Sequence, residues 1–282
     1  MKKTSVDTMR IINHKQIFEG SSRSSAFKQL SSIAIFAVSI ILVGCGGPQV
    51  KSQEVASALD IPRTADGKPD LSGIWQTLST ADWDLEPHQA RKDAPPGLGA
   101  VVGNVIPYQP WAFEQKLKNF ENRAELDPRR KYFMQGIPRA NYTPEPFQIF
   151  QSDKQFTFVY EFGQTVRTIH ANGTKHPEGH IDWWIGDSRG HWEGDTLVVD
   201  VTHFNDQTWF DRSGNFHSDA LHVIEHYKPI GPDHIQYEAV IEDPKVFTKP
   251  WTISLVFYRH KEKDFQLLEN YGFTFDYEKF YP

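Results

Sequence analysis

The chain has 282 residues, 13% of them aromatic, and sets 30 Lys and Arg against 36 Asp and Glu for a formal net charge of −6. A sequence pI near 6.1 excludes the basic excess that displaces counterions from phosphates, so no nucleic-acid partner is expected. Mean hydropathy is −0.53, yet one apolar stretch stands near the start, and the single cysteine, Cys45, closes it.

Lys2, Lys3, Arg10, Lys15, Arg23 and Lys28 precede a run at 33–43 that is apolar except for Ser39. That run falls short of the about 20 apolar residues a spanning helix needs, and its order, basic then apolar, suits an export signal. Leu42-Val43-Gly44-Cys45 resembles the lipobox of bacterial lipoproteins. The resemblance implies a signal peptide at 1–44, lipidation of Cys45, and a bilayer partner reached through acyl chains worth about 0.8 kcal/mol per buried methylene. Gly46, where an Asp would mark inner-membrane retention, implies the outer membrane facing the periplasm. With Cys45 acylated the mature chain keeps no thiol for a disulfide, a thiolate metal site or a nucleophile.

Residues 45–69 are small and polar with Pro48, Pro62 and Pro69, and read as a flexible tether ahead of a single domain at 70–282. Gly73-Ile74-Trp75 opens the domain on a strand, and 87–110 is a long irregular excursion rich in Pro and Gly. Trp111, Phe113, Leu117, Phe120 and Ala124 among Lys and Glu predict one amphipathic helix at 111–125, stopped by Asp127-Pro128. From Phe147 onward short alternating runs predict antiparallel strands: 156–162, 165–170, 195–203, 221–227, 234–241, 251–258 and 265–269. The fold class expected is mainly β, an antiparallel lipocalin-like barrel of about eight strands with one helix, because closure removes exposed edges.

Gly73-Ile74-Trp75 is similar to the G-x-W opening of lipocalin-like barrels, whose tryptophan closes the barrel floor. Longer segments carry a second likeness: Asp66-Gly67-Lys68-Pro69-Asp70-Leu71-Ser72-Gly73-Ile74-Trp75, Gly136-Ile137-Pro138-Arg139, Trp192-Glu193-Gly194-Asp195-Thr196-Leu197-Val198-Val199-Asp200, then Phe204 to Asp211 and His217 to Leu221. Together they resemble a large group of exported bacterial proteins. The likeness spans most of 66–270 and implies fold, export and the location of a site, with no reaction attached.

Alternation over 221–227 puts Leu221, Val223, Glu225 and Tyr227 on one face, so Glu225 points into the barrel. There it is either a structural carboxylate held by Arg167 or Arg139, or a buried general acid or base. The loop 204–220 is too long and polar for a plain connection, and its Trp209, Phe210 and Phe216 favour folding over the barrel mouth. Within it His217 and Asp211 are expected to form an imidazole–carboxylate pair, Asn205 to position a substrate oxygen, and Trp209, Trp184 and Ser218 to contact ligand. The alternative is local turn chemistry around Gly214. No metal ligand set is expected: His222 and His226 stand about 13 Å apart on a strand, and the group His170, His176, His180, His191 and Asp182 has no recognised spacing. No cofactor is expected, since the sequence holds neither a nucleophile elbow nor a phosphate-cradling glycine loop. Two functions follow. One is non-redox acid–base chemistry (lyase, isomerase or hydrolase) on a small, partly apolar or aromatic molecule, with Glu225, His217 and Asp211 catalytic. The other is binding or carriage of such a molecule without catalysis; a purely structural envelope role is a third.

Overall fold

The computed structural model describes residues 60–270; the signal segment, Cys45 and most of the tether expected from sequence lie outside the described residues. Nine strands close into one barrel in chain order: β1 (Gly73–Thr77), β2 (Phe147–Gln151), β3 (Gln155–Tyr160), β4 (Val166–His170), β5 (Asp187–Glu193), β6 (Thr196–Thr202), β7 (His222–Gly231), β8 (His234–Glu242) and β9 (Trp251–Arg259). Neighbours are antiparallel, with β9 closing on β1. The exception is β4 and β5, which run parallel. The connection 171–186 is long enough to supply the crossover that a parallel pair requires.

The barrel expected from sequence is therefore the fold, with nine strands in place of eight. Two strands are not among the expected runs: β2, and β5, Asp187-Ser188-Arg189-Gly190-His191-Trp192-Glu193, which has no β-branched residue and is held by its continuous ladder to β6. Residues 265–269 form no strand; Phe265 instead stacks on His260 with ring centroids 3.9 Å apart. The single helix at 111–125 is two, α1 (Pro110–Glu121) and α2 (Arg123–Leu126), broken at Asn122. Its apolar stripe faces outward: Trp111, Phe113 and Leu117 are exposed, and α1 docks through Ala112 and Asn119. Asn119 donates to the carbonyl of Gly214, whose φ of +81° and lack of a Cβ let the 203–221 loop pass against the helix.

The last part of the tether is also ordered. Residues 63–69 form a turn closed by Thr64 and Lys68, and Arg63 grips Asp195 through two bonds of 2.7 and 2.8 Å.

Aromatic side chains fill the interior. Phe147, Phe158, Tyr160, Tyr227, Tyr237 and Phe257 are buried, with ring centroids 4.9 Å apart for Tyr237–Phe257 and 5.3 Å for Phe147–Phe257. Such pairs add about 0.5–1.5 kcal/mol each beyond their buried area. Trp75 packs beneath the Arg259 guanidinium at 4.3 Å, and Arg259 bonds the carbonyls of Asp70 and Ser72, joining the last strand to the lead into the first. Strand directions place the 78–146 excursion, the 203–221 loop and the 243–250 connection at one end of the barrel.

Candidate functional site

That end is stoppered by one helical turn, Arg139–Tyr142, which follows Gly136-Ile137-Pro138. Gly136 has a φ of +72°, and a Cβ there would meet the Thr208 hydroxyl oxygen at 2.5 Å, so glycine lets the turn seat beneath the loop. Side chains of the turn reach three ways. Arg139 binds Asp82 at 2.9 Å and Asp127 at 2.8 and 3.1 Å, all three residues being buried. Tyr142 donates to the carbonyl of Phe210 at 2.7 Å. Asn141 points down the barrel axis to Glu225.

Glu225 faces inward, as the strand alternation predicts, and is wholly buried. Its Oε1 accepts from Tyr227, Tyr237 and Asn141, each at 2.8 Å, and from Arg167 at 3.3 Å. Its Oε2 is bonded by the other terminal nitrogen of Arg167, whose Nε donates to Ser188. Tyr160 completes the set by donating to the Asn141 carbonyl oxygen at 2.7 Å. Burial alone would lower the pKa of Arg167; the Glu225 carboxylate outweighs it and holds the guanidinium charged. Burial, and then the same carboxylate, push the Tyr227 and Tyr237 phenols well above the usual range, keeping them neutral donors. Of the two readings of Glu225, the geometry matches a carboxylate held by Arg167. Arg139 serves the upper network, where burial would raise the Asp82 carboxyl and the guanidiniums of Arg139, Arg129 and Arg212 together bring it below the ordinary value.

The expected pair of His217 and Asp211 is not formed. Asp211 accepts from the backbone N–H groups of Leu85, Ser213 and Asn215 and from the Asn215 amide, so it organises its own turn. Burial, with the Asp84 carboxylate adding to it, pushes the Asp211 carboxyl up to about 7. His217 lies between Phe204 and Phe210. Its Nδ1 faces the carbonyl of Ser218 and its Nε2 the hydroxyl of Thr208, at 2.9 and 2.7 Å, which assigns the proton to Nδ1 and lets Thr208 donate. Burial depresses its pKa below the ordinary value.

The four expected ligand contacts are also engaged locally. Asn205 accepts from the N–H of Gln207. Ser218 is tied to Asp243 through N–H and hydroxyl. Trp209 forms a backbone bridge with Phe216, and Trp184 packs on Phe133 with ring centroids 5.2 Å apart.

Open space lies elsewhere. A cleft of about 1280 Å³ runs along the outer face of β8 and β9, where His234, Gln236, Ser254, Val256 and Tyr258 alternate with the inward residues Ile235, Tyr237, Ile253 and Phe257. Segments 77–80 and 96–99 wall it, with Leu78 and Leu98 exposed at the rim (88% and 90%). His88 stands in the wall. Its Nδ1 is satisfied by the carbonyl of Glu86 at 2.8 Å, and its Nε2 is buried with no hydrogen-bond partner. Apolar surface at the rim and outward polar side chains on the floor suit a ligand that is mostly hydrocarbon with some polar groups.

Sequence reasoning missed Asn141, Tyr237 and the cleft. The signal for Tyr237 was present: the β7–β8 register sets it opposite Tyr227, on the Glu225 face. Comparison with protein-family models, with curated proteins and with solved structures finds no match.

Proposed function

We propose that this protein is a lipid-anchored envelope protein that binds a small, partly apolar organic molecule in the β8–β9 cleft and does not transform it. One observation carries the reading. The groups suited to acid–base work, Glu225 and His217, are buried with every polar atom engaged, while the cleft presents apolar surface, with Leu78 and Leu98 exposed at its rim. Chemistry at Glu225 would require opening a closed network around a paired charge, which is energetically steep. The basic and apolar order before Cys45 and the lipobox-like Leu42-Val43-Gly44-Cys45 support the anchor and the outer-membrane, periplasm-facing location.

Mass spectrometry of small molecules released from protein purified without denaturation tests the binding role. A single species bound intact supports it, and a substrate with its product argues for catalysis. Palmitate labelling lost in Cys45→Ala, with that variant released as a soluble periplasmic protein, supports the anchor; a variant that stays in the membrane refutes it.

A further inference from the structure

On the barrel wall away from the cleft, two imidazoles converge on one carboxylate. Nε2 of His176, in the β4–β5 connection, lies 3.3 Å from Oδ1 of Asp200 on β6, and Nε2 of His222 on β7 lies 2.9 Å from the same oxygen. Each Nδ1 faces a different carboxylate: His176 meets Asp187 at 2.6 Å, and His222 meets Glu242 at 3.2 Å.

A neutral imidazole has one N–H. If each Nδ1–H is given to Asp187 and Glu242, both Nε2 lone pairs are left aimed at a carboxylate oxygen, an arrangement satisfied by a second proton on each ring or by a cation shared between them. Carboxylates behind the distal nitrogens are also the usual outer support of histidines that ligate metal, since they set the tautomer and raise ligand basicity. The local charge agrees. Asp187, Asp200 and Glu242 face one guanidinium, Arg189, whose Nε and Nη2 are held on Asp187 at 2.6 and 2.8 Å. With both imidazoles neutral, two negative charges remain uncompensated. The neighbouring His203 is turned away, its Nδ1 on the Thr202 hydroxyl at 2.8 Å.

We propose that His176, His222 and Asp200 form a binding site for a divalent transition-metal ion of the zinc class. Imidazole and carboxylate are the donors such ions take, and a fourth position stays open to water. Among the described residues no group of three or more His, Cys, Asp or Glu side chains is already placed to hold a metal ion. Capture therefore swings the Asp200 carboxylate out from between the rings and draws both Nε2 atoms to about 2.1 Å from the ion. The side chains of His222 and Asp200 are 32% and 46% exposed, while Nε2 of His176 is buried and has no hydrogen-bond partner. The sequence places His176 near other histidines of its own segment; the fold sets it instead beside β6 and β7.

Calorimetric titration of the purified full chain with zinc chloride, repeated with cobalt chloride for its visible absorption, tests the site. One saturable ion per chain is expected, with the intense visible bands of four-coordinate cobalt. His222→Ala should weaken binding at least tenfold, and Asp187→Asn and Glu242→Gln by about 10–100-fold, while His191→Ala, on the same barrel wall, changes nothing. No saturable uptake overturns the proposal, as does His222→Ala binding like the parent, or His191→Ala losing as much as His222→Ala. Should His222→Ala fail to fold, nitrogen-15 spectra of the parent chain decide: zinc must move the Nε2 resonances of His176 and His222, and unmoved resonances reject the site.

Discussion

The amide nitrogen of Asn141 lies 2.8 Å from Oε1 of Glu225, and through this contact the helical turn that stoppers the barrel is bonded to the carboxylate on its inner wall. The same amide accepts from Tyr160, so one side chain bridges the stopper, β3 and β7. Asn141→Ala should remove the donor to Glu225 and strand the Tyr160 hydroxyl, costing about 1–3 kcal/mol for each buried polar group left unpaired. Urea denaturation at neutral pH measures this. A change within a few tenths of a kcal/mol would show that the contact is not formed.

Glu225 and Arg167 are expected to act as a unit. Breaking a buried ion pair leaves an uncompensated charge and costs about 3–5 kcal/mol, whereas replacing both partners by apolar groups is often near neutral. Glu225→Gln and Arg167→Met should each lower the melting temperature sharply, and Glu225→Leu with Arg167→Met should recover part of the loss. Additive losses in the double variant would mean that the two side chains do not interact.

His217 sets a pH dependence. Its folded pKa lies below the ordinary 6.5, so between that depressed value and 6.5 the unfolded chain takes a proton that the folded chain refuses. Stability from this group is lost as pH falls below 6.5. Asp211 acts the other way: between about 3.8 and about 7 the folded chain keeps a proton that the unfolded chain has released, and stability declines as pH rises through that window. Because the two oppose, His217→Gln should shift the profile of stability against pH so that less is lost on the acid side of 6.5. Parallel profiles for parent and variant would contradict the placement of His217.

The barrel and the inward aim of Glu225 were legible because they rest on strand alternation, which β3 and β7 display plainly. What failed had no periodic signal. The polar β5 is a strand because β6 pairs with it along its whole length. Asp211 and His217 are close in sequence and look like partners, but Asp211 caps the turn around Gly214 while His217 packs into the aromatic layer beneath. Asn141 sits on a single helical turn, too short for any pattern to orient its side chain. The cleft is built by irregular segments against an outward strand face, and its location depends on the path of the 78–99 excursion.

Val256 lies on the cleft floor and is 41% exposed. A carboxylate placed there meets the ligand's hydrocarbon without burying a charge in the barrel, so Val256→Glu should leave the melting temperature nearly unchanged. Leu98→Glu at the rim should behave alike, with a smaller effect on binding. A large fall in melting temperature for either variant would mean that these side chains belong to the core.

The most direct test of the central claim is ligand occupancy, counted by native mass spectrometry on the folded fraction of the parent, Val256→Glu and Glu225→Gln proteins. Binding in the outer cleft, with Glu225 structural, requires Val256→Glu to lose most of the parent's occupancy at subsaturating ligand, as a Kd weakened about tenfold or more, about 1.4 kcal/mol, produces, while folded Glu225→Gln keeps the parent's ligand. Glu225→Gln emptied of ligand, or carrying it chemically unchanged where the parent carries a substrate–product mixture, with Val256→Glu still loaded, would place the functional site inside the barrel and contradict the claim.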